Sequence, residues 1–552
     1  MDILKNIRFI LFFLVLSIAT GLRSQVVYEP VESDVYQYLE RLYLNGIIEY
    51  HSEIKPLTRG EIASYLLEAL KNKIDLTELD QKELEFYSEE FSDELSFIRS
   101  NDGISLPRNE FFTSGQTNRF RLFNYRDSTF SFYLDPILGY DISSSSNNVL
   151  THRMNGLELY GYFSSNWGFS LNFKDNLESG DNINRTKDYT PDRGIVLTKS
   201  DQNSIQYDDV RASINYGWQN GTISIGKDYL NLGNGLNGQL ILSNKAPSFP
   251  YIKIDFYPVD WLRFVYFHGW LQSDIPDSST YRYSQVQGRF NLADVPKFIA
   301  SHFLSFYPAS DLSISIGESV IYSDNIKPIY FIPVMFFRVA DHYMGSGSSS
   351  SGNAQMFADI SYRVIPIRTK LYSTLFIDEL SIEDIFKGGN LSAIGITTGS
   401  QISDFILPNS SLIIEYTRVN PFVYKNSNDA QLYSNHNYEL GHWIGSNADI
   451  LYIAYKKNIL RDLQIVLSAY HYRKGKTEDP QEQYQLPYPK FLYGAKRIET
   501  DLSFIIKYEP FHNIYSRFEY SFSKISDEDP IRTPVNLLGK KHSFTLSLSY
   551  GM

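Results

Sequence analysis

Gly233, Gly235 and Gly238 stand in GxGxxG spacing, the pattern that lets a backbone turn approach a pyrophosphate at a helix N-terminus. That chemistry needs a strand before the turn and a helix after it. Here Thr222, Ile223, Ser224 and Ile225 alternate as a strand upstream, and Gln239 to Ser243 reads as a second strand downstream. The glycines therefore read as a tight turn or a close backbone approach, not a nucleotide site. The ten histidines are scattered and no HExxH pattern occurs. The nearest grouping is His436 and His442 with Asp449, and a loop histidine pair is more often solvated or hydrogen-bonded than metal-bound, so no metal and no cofactor are expected. There is no GxSxG elbow for an acyl-transfer serine. Asp378 and Glu379 are adjacent, so in a regular strand they point to opposite faces, one of them must lie at a rim or turn, and a glycosidase dyad is not expected. Nothing in the sequence supports an enzyme acting on lipid or peptide.

Positioning elements come next. Lys5 and Arg8 precede an apolar run from Phe9 to Ala19, followed by Thr20, Gly21, Leu22, Arg23 and Ser24. This order reads as a secretory signal peptide over residues 1–24, and its apolar run is too short for a membrane helix, which is the alternative. Val31, Val35, Tyr38, Leu39 and Leu42 have helical spacing, with Gly46 as a stop. Thr58 and Glu61 form a capping-box pattern ahead of Ile62, Leu66, Leu67 and Leu70. Thr77 opens a third helix with Leu79, Leu84 and Phe91 on one face. Residues 30–98 thus read as a small acidic helical domain. The stretch 99–115, with Asn101, Gly103 and Pro107, reads as a linker.

From about Gln116 the period becomes two. Trp167, Phe169, Leu171 and Phe173 oppose Gly168, Ser170, Asn172 and Lys174. The same alternation recurs in Leu463, Ile465 and Leu467, in Ile514, Phe518, Tyr520 and Phe522, and in Phe544, Leu546, Leu548 and Tyr550. A soluble sandwich alternates as well. Charges inside these strands, Lys174, Asp501, Lys507, Arg517 and Glu519, favour a wet lumen behind a lipid-facing band. The aromatic content of 15%, with 42 Tyr and 37 Phe, suits interfacial girdles, whereas a mean hydropathy of -0.27 does not separate the two folds. The absence of Cys excludes disulfides, thiolate metal sites and a lipid-modified N-terminal cysteine. A formal charge of -12 argues against nucleic acid.

The fold expected is mainly β: a large antiparallel transmembrane barrel over residues 116–552, with roughly 16 to 20 strands if strands of about ten residues fill half of it. The external loops fall near residues 176–207, 340–355, 425–441, 473–495 and 524–541, and Gly345 to Gly352 is a low-complexity Gly/Ser run. Glu318 shares parity with the apolar Leu312, Ile314 and Ile316. A carboxylate facing lipid at mid-depth costs about 2 kcal/mol, so either a β-bulge between Ile316 and Glu318 or a position at the membrane interface is expected.

Several ordered segments resemble the capsule assembly Wzi family of outer-membrane proteins, in the form found in Bacteroidetes-type bacteria. They are Gly226-Lys227-Asp228 with Gly233 to Gly238 and Leu240 to Pro247; Gly317 to Tyr322 with Pro333; Phe376 to Glu379; Glu415 to Pro421 with Tyr424; and Gly441-His442 with Gly445 and Asp449. The helical start, with Leu39, Leu42, Gly46 and Ile47 and then Pro56 to Glu61, is similar to the segment preceding the barrel in that family. One departure is the C-terminus, where Gly551 and Met552 follow the aromatic Tyr550. The resemblance implies a periplasmic helical part and a non-enzymatic, lectin-like barrel that holds exported capsular or other surface polysaccharide at the surface of a Gram-negative cell. Its partners would be that glycan, outer-membrane lipid and the outer-membrane assembly machinery, and it would act as a monomer. Asn420, Tyr424, Tyr433, His436 and Trp443, aromatic or polar residues in or beside loops, are the carbohydrate-binding candidates; the alternative for the aromatic ones is an interfacial girdle. A porin or substrate channel is the rival function, opposed by a helical domain able to block the mouth.

Overall fold

A computed structural model describes residues 26–99, 108–113, 120–145, 148–181, 183–286, 289–344, 352–379, 393–483, 485 and 487–551. The expected leader at residues 1–24, most of the linker stretch, Gln116, Gly345 to Ser351 and Met552 lie outside the described residues. The rest builds a closed antiparallel barrel of 18 strands.

The strands are β1 (Phe130–Ser145), β2 (Asn148–Phe163), β3 (Trp167–Gly180), β4 (Ser204–Trp218), β5 (Gly221–Asp228) and β6 (Phe249–Val259). Then come β7 (Leu262–Leu271), β8 (Lys297–Ala309), β9 (Leu312–Ser323), β10 (Asn353–Val364), β11 (Thr369–Glu379) and β12 (Ala393–Ser403). The last are β13 (Ser410–Val419), β14 (Ala448–Leu460), β15 (Leu463–Lys474), β16 (Arg497–Tyr508), β17 (Ile514–Asp527) and β18 (Gly539–Tyr550). Each pairs with its sequence neighbour, and β18 closes on β1 from Ser543↔Ser145 to Tyr550↔Leu138. Below that seam the other half of β1 pairs with Arg121–Arg126, which pairs in turn with Arg108–Thr113. Six residues of the stretch read as a linker are therefore strand.

Short connections such as 310–311 and 461–462 gather at one end, the turn end; the long ones, and the two-residue link from β1 to β2, lie at the other, the loop end. Four helices sit at the turn end: α1 (Val35–Leu44), α2 (Arg59–Lys71), α3 (Glu78–Glu90) and α4 (Ser92–Arg99). The Thr58–Glu61 capping box is formed, and Gly46, at φ 76°, lies just beyond the end of α1. The stretch expected as one helix past Thr77 divides at Phe91. That ring is buried under the Arg59 guanidinium, 4.3 Å from its centroid, and anchors the turn from which α4 returns along α2.

This helical unit is docked into the turn-end mouth. Arg263 on β7 reaches Glu61 at 3.0 Å, Tyr307 on β8 donates to Glu53 at 2.7 Å, and Lys370 on β11 reaches Glu40 at 3.1 Å. Asn458 on β14 donates to Glu83 at 2.9 Å.

Glu318 corrects an expectation. The register of β9 against both β8 and β10 runs unbroken through it, pairing Glu318 with His302 and with Met356, so there is no bulge between Ile316 and Glu318. The side chain points outward with Ile314 and Ile316, yet it is only 3% exposed. Protein covers it: α5 (Phe337–Met344) lies on the outer wall, and the Phe337 N–H donates to Glu318 Oε2 at 2.8 Å.

Candidate functional site in the lumen

The segment 229–248, between β5 and β6, folds inward, and so does 420–447, between β13 and β14. Leu240, Ile241 and Leu242 are buried in the lumen beside Tyr424, Tyr433 and Leu440. The stretch Gln239 to Ser243 is thus not a barrel strand; its apolar run, which imitates one in sequence, is the core of a plug. Asn231–Leu232 pairs with Lys55–Ile54 of the helical unit, and the Gly233 N–H donates to Glu53 O at 2.8 Å. Plugs from the two ends therefore meet inside the barrel.

The GxGxxG turn binds an acidic side chain of its own chain. The Leu236 and Asn237 N–H groups donate to the Glu415 carboxylate at 2.7 and 2.9 Å, and the Tyr372 hydroxyl adds a third donor at 2.6 Å. Asp359 accepts from the Asn234 N–H at 3.2 Å, from its side-chain amide and from Thr374. Gly238, at φ 144°, lies under the His442 ring, and a Cβ there would come within 2.9 Å of Nε2. The sequence reading gives Asp359 no part and Glu415 only a place in the segment Glu415 to Pro421. The signal available was two carboxylates at lumen-facing strand positions with no charged neighbour to pair them.

The five candidate residues divide. Tyr424 and Tyr433 are stacked on each other at 5.5 Å, both are buried, and their hydroxyls donate to Leu240 O and Ile241 O at 2.7 Å. Trp443 Nε1 donates to Asn237 O at 2.7 Å. Asn420 stands where the inward segment leaves β13, its N–H on Ile394 O at 3.1 Å and its carbonyl accepting from Asn447. These four fasten the plug. His436 is half-buried, pairs with Asp274 at 3.3 Å and borders a cavity in the lumen.

His436 and His442 do not converge with Asp449, which is on the outer face of β14 and is held by Arg473 and Tyr416. No group of metal-ligating side chains occurs among the described residues. Asp378 accepts from the Tyr424 N–H at 2.6 Å, and β11 ends one residue later, after a register shift between Ile377 and Glu379.

The plugs fill the side of the lumen walled by β6 to β14. Against β1 to β4 and β15 to β18 a cavity of about 1300 Å³ remains, bordered at the turn end by Arg461 and Asn513 and at the loop end by Lys187 and His436. Its wall is a polar lattice. Lys187 and Tyr207 both bind Glu178, at 2.7 and 2.9 Å; His152 lies between Asp141 at 3.2 Å and Asn176 at 3.1 Å; and Arg211 donates to Asn172 at 3.2 Å. Arg193, from the 181–203 segment, stacks on Tyr229 at 4.1 Å and pairs with Glu32 of the helical unit. In the plug, burial alone pushes the His442 imidazole down to about 3, so it is neutral.

The family model of capsule assembly protein Wzi matches residues 111–529. The chain belongs to the Wzi capsule assembly family. Among solved structures it is similar to Wzi of Escherichia coli, described as an outer membrane protein involved in group 1 capsule assembly and a carbohydrate-binding β-barrel. That match has a TM-score of 0.55 at 11% identity and covers 96% of this chain and 100% of that one. OprD of Pseudomonas aeruginosa aligns at TM-score 0.40 and 12% identity, over 76% of this chain and 93% of its own, and OccAB1 of Acinetobacter baumannii at 0.43 and 11%, over 76% and 95%; neither bears on the Wzi-family assignment. No curated protein sequence matches the chain.

Proposed function

We propose that this Wzi-family barrel binds and retains capsular or other surface polysaccharide at the outer face of a Gram-negative outer membrane, without catalysis. The observation that carries the reading is the lumen. Two plugs meet in it, and the space left is a cavity walled by amides, hydroxyls, carboxylates and tyrosine rings, the groups that hold sugars by hydrogen bonds and stacking. The sugar class comes from the carbohydrate binding described for the Escherichia coli relative. In this reading the turn end is periplasmic and the loop end external, because outer-membrane barrels keep short turns inside and long loops outside. Residues 1–24 are a cleaved leader, 30–98 the helical domain and 116–552 the barrel, which the outer-membrane assembly machinery inserts as a monomer. His436 contributes at the rim of the cavity; Asn420, Tyr424, Tyr433 and Trp443 hold the surface beneath the glycan.

A second reading, a substrate channel, is favoured by one feature: the same cavity is bordered by residues of both barrel ends. Binding of detergent-solubilised protein to a glycan array, run beside planar-bilayer conductance, separates the two. Saturable glycan binding with little current supports retention. Large unitary currents without glycan binding would replace it with the channel.

A further inference from the structure

The covering over Glu318 belongs to a larger outer-wall structure. From Pro328 to Met344 the chain after β9 lies on the outside of the barrel, and Tyr330, Phe337 and Ala340 form a buried cluster with the outward-facing Tyr266, Phe298, Ala300, Val320 and Tyr322. Its opposite side is apolar and open: Phe331 is 37% exposed, Ile332 43%, Val334 78%, Phe336 58% and Val339 62%.

Depth follows from counting along strands. Glu318 is the seventh residue of β9 from the turn end, as Ala469 is in β15, Leu502 in β16, Tyr520 in β17 and Phe544 in β18. Leu502 and Phe544 are outward and about half exposed, and outward polar residues begin further on, at His471 and Arg473 or His542 and Lys540. At ~3.3 Å per residue and a tilt of ~40°, that level is about 15 Å above the turn end, inside an apolar band of about 25 Å. Irregular backbone is tolerated at such depth only where its polar groups are satisfied by protein. Here the outer wall satisfies them: the Tyr266 hydroxyl donates to Tyr330 O at 2.7 Å, and Glu318 accepts the Phe337 N–H.

We propose that residues 328–344 form a flap embedded in the acyl chains of the surrounding membrane, anchored by Glu318 through the first turn of α5. The flap continues the lipid-facing band around a stretch of wall whose own outward residues, Glu318, His302 and His268, are polar. The occupant of its open face is lipid hydrocarbon.

The chain has no cysteine, so single nitroxide labels go in directly as V334C and V339C, in the full chain reconstituted into phosphatidylethanolamine/phosphatidylglycerol vesicles. I316C in the apolar band and I531C in an external loop are the references. The oxygen-to-nickel-chelate accessibility ratio at both flap positions is expected to equal that of I316C and to exceed that of I531C several-fold. A ratio equal to I531C puts the flap in water, and exclusion of both reagents puts a protein surface, such as a second copy, against it; either overturns the proposal. Combined with V339C, E318A is expected to raise label mobility several-fold while E318Q, which keeps an acceptor oxygen, does not. Unchanged mobility in E318A would remove Glu318 as the anchor.

Discussion

His442 shows how one side chain sets the conditions under which the plug is firm. Its ring is fully buried, its Nδ1 accepts the Ile444 N–H at 3.3 Å, and burial lowers its pKa to about 3. A base with a depressed folded-state pKa contributes its stability above the unfolded value, near 6.5, and loses it as pH falls toward the folded value, because the unfolded chain binds the proton first. Each pH unit in that window weakens the 420–447 segment by about 1.4 kcal/mol. Amide exchange of Gly238 and Leu440 at pH 5 against pH 7 should show faster opening in acid after correction for intrinsic rates, and H442F should abolish the difference. A wild-type difference that persists in H442F would assign the effect to another group. Little of this was legible in the sequence. Tyr424, Tyr433 and Trp443 read as aromatic loop residues, and the sequence contains nothing that says a loop turns inward; the inward course of 229–248 depends on Glu415 and Asp359 meeting the glycine turn, contacts across more than a hundred residues of chain.

Among the elements, legibility followed local chemistry. The helices announced themselves because their signals, the Thr58–Glu61 box and the Gly46 stop, lie within a few residues of one another. The alternating stretches at 167–174, 463–468, 514–522 and 543–550 lie on strands bordering the cavity, where the inner face is polar. Over the plug the inner face mixes types: β7 turns Val265 and Phe267 into the plug core, whereas β10 turns Gln355, Asp359 and Arg363 inward to meet polar groups. Arg59 joins the helices to one another: it pairs with Glu29 at 2.8 Å, Glu90 at 3.1 Å and Glu94 at 2.8 Å, all with little solvent. Removing one partner of a buried ionic cluster strands the others, so R59A is expected to destabilise the helical unit by about 3–5 kcal/mol, against about 1 kcal/mol for loss of the Thr58 cap in T58A. Limited proteolysis of residues 26–99 in the intact barrel ranks the two. Equal protection of both variants would mean that the cluster holds nothing together.

For the whole molecule, the central fact is that its two plugs come from different ends and touch at Ile54–Lys55 and Asn231–Leu232. They stand in series along one side of the lumen, while the other side is narrowed by the Glu178–Lys187–Tyr207 and Glu32–Arg193 contacts. Barrels of 16 to 18 strands enclose an aqueous channel when nothing fills them, so the obstruction is the fill and not the wall. Deleting residues 26–99 leaves the inward 229–248 segment in place, held by Glu415 and Asp359 from the wall itself. Replacing both inward loop-end segments, 230–247 and 421–446, with short Gly/Ser links leaves the helical unit, held by Arg263, Tyr307 and Lys370. Each single change should therefore give only small unitary conductance in a planar bilayer, and the combined change steps several times larger than the sum of the two. Full-sized steps from either single change would show that one plug alone closes the barrel and that the meeting of the two inside it has no part in the seal.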